Sequence, residues 1–236
     1  MAAITETTAQ AEKQPLVIKA EEIDVSCINY SGMSVGNKHG SKYIYTNYTT
    51  NGDKFPFVIQ VENMRVPFGV REDTDDVGNL KYSVELSFEK NGNNELEPFC
   101  QRMGEFDQKL IDDCIENSFD WFGRRKKLTR DLAEEFLIRQ VRYSKKSLNE
   151  DGSWNPESYC PTMRVKLPFK NGEFTFPILD EKMNPIEQPL TDVLVANSRV
   201  KALLECKYIW IGGTKVSVTW NAVMMVIIPP TSFKNT

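Results

Sequence analysis

Histidine is nearly absent from this chain: His39 is the only one among 236 residues. A lone loop histidine offers no acid–base pair, which removes the commonest route to general acid–base and nucleophilic catalysis. No H-E-x-x-H, G-x-S-x-G, P-loop or G-x-G-x-x-G motif occurs. Zinc proteases, serine hydrolases and nucleotide enzymes built on those motifs are excluded with them. Paired acids do occur at Asp75-Asp76, Asp112-Asp113 and Glu134-Glu135, in polar loops or on helix surfaces, and read as solvated charge. Cys27, Cys100, Cys114, Cys160 and Cys206 show no C-x-x-C spacing and no histidine partner, which argues against zinc and against a disulfide framework. Reduced thiols in a cytosol or nucleus are the expectation. No apolar run approaches the roughly 20 residues of a membrane span, and the N-terminus lacks a signal-peptide pattern. A basic excess is missing too: 29 Lys and Arg stand against 33 Asp and Glu, a net charge of -4. Any anion binding must come from a local patch. The expectation is a protein without catalysis, metal or cofactor, and not a membrane protein.

What is present is organised around Ser198 to Pro229, two long alternating runs joined near Gly212-Gly213. Val200, Ala202, Leu204, Cys206, Tyr208 and Trp210 share one face, with Arg199, Lys201, Glu205 and Lys207 on the other. In the second run Val216, Val218, Trp220, Ala222, Met224, Val226 and Ile228 share a face. Period two means strands. A two-residue Gly-Gly turn would set Lys207 beside Val218 and Glu205 beside Trp220. A three-residue loop, Gly212-Gly213-Thr214, pairs Trp210 with Val216, Tyr208 with Val218, Cys206 with Trp220 and Glu205 with Asn221. Like then meets like, so this register is expected, with Trp210, Trp220 and Tyr208 in the core.

Earlier in the chain, Tyr43, Tyr45 and Asn47 alternate with Ile44, Thr46 and Tyr48, a strand rich in tyrosine. Phe55 to Arg65 reads as another strand, stopped by Val66-Pro67-Phe68-Gly69. Leu80 to Glu89 alternates again, with Tyr82, Val84, Leu86 and Phe88 on one side. The period then turns helical. Asn94 is a candidate cap, and Phe99, Met103, Phe106, Leu110, Cys114 and Ile115 form an apolar stripe to about Phe119. Asp120-Trp121-Phe122-Gly123 closes that helix. Thr129 caps a shorter one to about Gln140, with Leu132, Phe136 and Leu137 inward. Tyr143 to Tyr159 is a long polar segment of the kind that is mobile or functional. Strands resume at Pro161, where Met163, Val165 and Leu167 alternate with Arg164 and Lys166, and again at Phe174 to Leu179.

From Trp121 to Lys170 twelve Lys and Arg face six Asp and Glu, against the balance of the whole. Arg124, Arg125, Lys126 and Lys127 form a run between the helices, and Arg139, Arg142, Lys145 and Lys146 a looser set. Arg164 and Lys166 on one strand, and Arg199, Lys201 and Lys207 on another, alternate outward. Trp121, Phe122, Tyr143, Trp154, Tyr159 and Phe169 are interleaved. Cations tracking phosphates, with flat rings for bases, are what sequence-tolerant single-strand binding requires. The same pattern also suits a solvated basic surface.

The block Ser198-Arg-Val-Lys-Ala-Leu-Leu-Glu-Cys-Lys-Tyr-Ile-Trp-Ile, its Gly-Gly turn and Lys-Val-Ser-Val-Thr-Trp-Asn-Ala-Val resemble the closing hairpin of a known family. This is the single-stranded-DNA-binding proteins of large nucleo-cytoplasmic DNA viruses, similar to the T-odd phage type. Pro161-Thr-Met-Arg-Val-Lys-Leu-Pro, Met64-Arg-Val-Pro-Phe-Gly and Asn117-Ser-Phe-Asp-Trp-Phe-Gly agree. The resemblance implies an OB-like antiparallel β-barrel with a two-helix insertion and a long C-terminal hairpin. It implies a protein that coats single-stranded DNA during viral replication or recombination, without catalysis or metal. Phage-type relatives end in an acidic tail that recruits replication proteins; here the last residues, Thr231-Ser-Phe-Lys-Asn-Thr, carry no acid, and Phe233 is left as an aromatic anchor.

The expected organisation is a disordered leader at 1–13, one mainly β (α+β) domain at 14–230 with its helical insertion at about 94–140, and a short tail at 231–236. The expected nucleic-acid contacts are Arg164, Lys166, Arg199, Lys201, Lys207 and the run Arg124 to Lys127. Expected partners are single-stranded DNA, replication proteins and a second copy as a homodimer, in the host cytoplasm or nucleus. The competing reading is a virion or scaffold protein on a β-barrel or sandwich.

Overall fold

The computed structural model describes residues 16–36, 40–89, 95–155 and 158–230. His39, the Asn94 cap, the leader and the tail lie outside them. The described chain is mainly β with a few helices. Strands β1 (Ile18–Lys19), β2 (Ile28–Val35), β3 (Lys42–Thr50), β4 (Asp53–Pro56), β5 (Val58–Arg65), β6 (Val70–Thr74) and β7 (Leu80–Ser87) come first. Helices α1 (Leu96–Glu116), α2 (Ser118–Phe122) and α3 (Arg130–Phe136) follow, then β8 (Leu137–Ile138). After a loop come β9 (Thr162–Leu167), β10 (Phe169–Lys170), β11 (Glu173–Phe174), β12 (Ile178–Leu179) and α4 (Leu190–Val193). The long pair β13 (Arg199–Gly212) and β14 (Lys215–Ile228) closes the chain.

Twelve of these strands form one sheet, whose main path runs β1-β5-β7-β9-β14-β13-β3-β2. An additional pairing of β13 with β5 makes β5, β7, β9, β14 and β13 a circuit. Two of its links rest on one residue pair each: Arg65 with Ser87, and Asn221 with Lys166. Strand β13 changes partner along its length, meeting β5 from Arg199 to Glu205 and β3 from Tyr208 to Ile211.

The hairpin corrects the expected register near the turn. The loop is Gly213-Thr214, and Gly212 pairs with Lys215, Ile211 with Val216 and Trp210 with Ser217. Gly213 has φ 60, a conformation glycine reaches at no steric cost and a two-residue hairpin turn needs. Continued unbroken, this register would set Lys207 opposite Trp220. A β-bulge at Lys207 prevents it: Tyr208 pairs with Thr219, but Cys206 pairs with Trp220 and Glu205 with Asn221. The expected pairs therefore hold beyond the bulge and fail before it. The bulge also changes the facing of β13. Cys206 is buried, and so are Ile209 and Ile211, while Tyr208 and Trp210 fall on the outer side, half-buried. Reading them as core was wrong; Trp220, at 2% exposure, is core. A second bulge at Val223 turns Met225 and Ile227 inward.

Helix α1 lies against the inner face. Leu96, Phe99, Met103, Phe106, Leu110, Ile111 and Cys114 recur at helical spacing and are all buried. Each large side chain so buried contributes about 1.5–3 kcal/mol. Ile111 takes the place expected for Ile115. At the centre Phe57 touches the rings of Tyr48 (5.3 Å), Trp220 (5.4 Å) and Phe106 (6.1 Å). A buried polar chain crosses the same region: Trp220 Nε1 donates to Gln140 Oε1 at 2.7 Å, and Gln140 Nε2 donates to Asp107 Oδ1 at 3.0 Å. The expected first helix is two, α1 and α2, with Gly123 capping α2 at φ 62. Thr129 caps α3 as expected, accepting from Leu132 N. That helix stops at Phe136, not Gln140, because Leu137 and Ile138 pair with Val216 and Ser217 of β14. No helix among the described residues is long and apolar enough to cross a membrane.

Candidate nucleic-acid interface

A surface groove of about 1120 Å³ opens where β7 and β9 meet two loops. Among the described residues, Arg65, Arg71, Arg142, Lys146 and Arg164 line it together with two carboxylates, Glu85 and Glu89, and Arg71 is held by Asp73 at 2.7 Å beside it. Its rim carries Phe68, Tyr143 and Tyr159. Phe68 is 75% and Tyr159 69% exposed, so both rings stand largely in solvent. Each piece has a local origin. Gly69 takes φ 73, turning the chain after Pro67 so that Phe68 projects. The polar segment after Val141 folds across the rim, with Trp154 Nε1 donating to the Tyr159 carbonyl at 3.2 Å and its ring 5.8 Å from that of Tyr143.

The electrostatics of the groove centre on Glu85. Arg164 Nε donates to its Oε1 at 2.8 Å, Arg142 Nη1 lies 3.6 Å from the same oxygen, and the Thr162 hydroxyl donates to Oε2 at 3.0 Å. Burial holds the Arg142 guanidinium below its ordinary range, against the pull of Glu85. Arg65 pairs with Glu89 and donates to Asn197 Oδ1 at 3.0 Å.

A second set of rings lies on the outer side of β3 and β13. Tyr208 pairs with Tyr45, and Trp210 with Tyr43. Tyr43 and Tyr208 meet edge to face at 5.0 Å, and Tyr45 and Tyr208 at 6.5 Å. The indole of Trp210 lies over Gly212, where any Cβ would collide with it. Lys166, next outward residue after Arg164 on β9, reaches this set: its ammonium is 5.6 Å from the centre of the Tyr208 ring. Charge and ring at that distance attract.

The expected contact residues are all on the surface, but they do not share one groove. Arg164 lines the groove and Lys166 leads from it toward the tyrosines. Lys166 pairs with Asn221, which pairs with Glu205. Arg199 stands six residues before Glu205, about 20 Å away along β13. It approaches the groove from the other side, opposite Arg65, which lies next to Ser87 and so to Thr162. Lys207 is the bulged residue. Arg124 to Lys127 are exposed between α2 and α3. Both helices are tied to the turn end of the hairpin, α2 through Asp120 O to Lys42 and α3 through β8.

One premise of the sequence reading is corrected. Like charges on the strands need no outside anion, because the chain supplies its own. Glu62 pairs with Lys201 at 3.2 Å, Glu205 with Lys207 at 3.4 Å and Glu85 with Arg164, while Arg199 donates to the Asn63 carbonyl at 2.9 Å. Arg65, Phe68 and Arg71 were missed as site residues. Pro67-Phe68-Gly69 is the signal for Phe68, since a turn between strands runs over the surface. Among the described residues no group of three His, Cys, Asp or Glu could hold a metal. All five cysteines are free, and burial pushes the Cys114 and Cys206 thiols up to about 12.

No family model matches the chain, and no curated protein matches it. Among solved structures it is similar to gp2.5, a single-stranded DNA binding protein encoded by bacteriophage T7. The TM-score is 0.45 at 13% identity, over 77% of this chain and 91% of that one. It is also similar to the single-stranded DNA-binding protein from bacteriophage Enc34, with TM-score 0.42 at 11% identity, over 86% of this chain and 97% of that one.

Proposed function

We propose that this protein binds single-stranded DNA. The groove carries the reading: five cations that outnumber the acids paired with them line one cleft, with bare Phe68 and Tyr159 at its lip. Guanidinium groups neutralise phosphates whatever the sequence, and rings stack on any base. A duplex buries its base faces, so a stacking lip favours an open strand. The circuit of β5, β7, β9, β14 and β13 is the frame for this, read here as an OB-like barrel within one domain spanning 14–230. The strand would run from the groove past Lys166 to Tyr208, with Arg199, Lys201, Lys207 and the run Arg124 to Lys127 as outer phosphate contacts. Coating of strands during replication or recombination, replication proteins as partners, a homodimer and a place in the host cytoplasm or nucleus belong to the same proposal. It assigns the chain no catalytic step.

The test is a fluorescence titration with oligo-dT and with duplex DNA of equal length, at several salt concentrations. Preferential binding of oligo-dT, weakening as salt rises, is expected. Equal affinity for both would overturn the stacking argument and favour a virion or scaffold role.

A further inference from the structure

Glu85 lies beneath two guanidinium groups of the groove. Its side chain is 16% exposed, while those of Arg164 and Arg142 are 35% and 38% exposed. The acid is therefore the deeper group, and the two cations face the opening. Both of its oxygens are engaged, one by the arginines and one by Thr162. The three charges leave one net positive charge at this point. Arg65 and Glu89 form a second, one-to-one ion pair within the same cleft.

Resting on the single-strand reading above, we propose that Arg142 and Arg164 form a phosphodiester subsite and that Glu85 is its resident counter-ion, limiting how tightly a strand is held. Two guanidinium groups this close repel, so the free protein needs an anion between them. Glu85 is that anion. A phosphodiester carries one negative charge and presents paired oxygens that match the donor fork of arginine. On binding it takes over the role of holding the two cations together. The carboxylate below is then a like charge facing the phosphate, in a partly buried place where salt screens poorly. Its presence trades affinity for ready release. A groove of five uncompensated cations would hold any polyanion; one with built-in acids holds a strand only where stacking adds to phosphate contact.

The experiment compares the parent with Glu85→Gln, which keeps the shape and an acceptor for Thr162 but removes the charge. Oligo-dT affinity is measured between about 50 and 200 mM salt. The variant is expected to bind several-fold more tightly. Its plot of log affinity against log salt should steepen by about 0.7, one further phosphate neutralised on a single strand. Equal or weaker binding with an unchanged slope overturns the proposal and leaves Glu85 a positioning residue for the arginines. Should Glu85→Gln fail to fold, Glu85→Asp withdraws the charge by one methylene; tighter binding supports the proposal, and parent-like or weaker binding overturns it. Should the parent itself not bind oligo-dT, the single-strand reading falls while the subsite is still judged. Inorganic tripolyphosphate should then raise the melting temperature more in Glu85→Gln than in the parent, and an equal or smaller rise counts against the subsite.

Discussion

The Lys166 ammonium lies 5.6 Å from the centre of the Tyr208 ring, with the Tyr208 and Thr219 hydroxyls each at 3.5 Å. Among the described residues no carboxylate pairs with it. It is thus the cation of β9 most ready to take a phosphate, next to a ring able to stack. Lys166→Ala should flatten the salt dependence of oligo-dT binding by about 0.7. Folding should change little, since exposed substitutions move stability by less than about 0.5 kcal/mol. An unchanged slope would remove the tyrosine face from the strand's path.

Phe68 and Tyr159 owe little to the core, being among the most exposed large side chains. Phe68→Ala and Tyr159→Ala should therefore melt close to the parent. If bases stack there, each should weaken oligo-dT binding by about 1–3 kcal/mol. The loss should shrink on an abasic strand, which keeps phosphates and removes the rings. Equal losses on both strands would place these residues outside base contact.

The basic residues of β13 and those of the helical insertion should behave differently. Lys201 and Arg199 already have partners in Glu62 and the Asn63 carbonyl, whereas no carboxylate pairs with Arg124 to Lys127 among the described residues. Neutralising the run Arg124 to Lys127 should flatten the salt slope by up to about 0.7 per lost contact. Arg199→Ala with Lys201→Ala should flatten it less and should lower stability, because Arg199 supports Asn63 at φ 51. Salt titrations of both variants, with urea unfolding alongside, check the order of the two effects.

Burial pushes the Asp107 carboxyl up to about 6 from an ordinary 3.8, although both oxygens accept hydrogen bonds from Gln140. Between those two values the folded state holds a proton that the unfolded chain releases. Unfolding free energy therefore rises, from this group, as pH falls through about 6, and the gain is complete below about 3.8. Two pKa units correspond to about 3 kcal/mol. Asp107→Asn should lack this component. Urea unfolding of parent and variant at pH 7 and pH 4.5 reads the difference; an identical pH dependence would show that Asp107 does not titrate in this range.

Period-two alternation, read from the sequence alone, located the strands of the C-terminal hairpin, because side chains on a strand must alternate between core and solvent. Helical spacing from Phe99 to Cys114 located α1 for the same reason, and Thr129 announced its own cap. The basic excess between Trp121 and Lys170 was legible as charge. Where that charge would gather was not. Arg65 and Arg164 are 99 positions apart, and only the pairing of β5 with β7 and of β7 with β9 puts them in one cleft.

Facing was equally a matter for the tertiary structure. Near the turn, Ile209 and Ile211 compete with Tyr208 and Trp210 for the inner side, and alternation alone fits either choice. The packing of Ile209, Ile211 and Val216 against Leu110, Phe136 and Leu137 settles it, since that cluster forms only when the helices close over the sheet. The cost of facing Ile209 and Ile211 inward is one extra residue at Lys207. That bulge keeps Lys207 away from Trp220 and turns two aromatic rings outward beside Lys166. A local pattern records which residues alternate; the choice of face depends on which elements arrive from far along the chain to cover it.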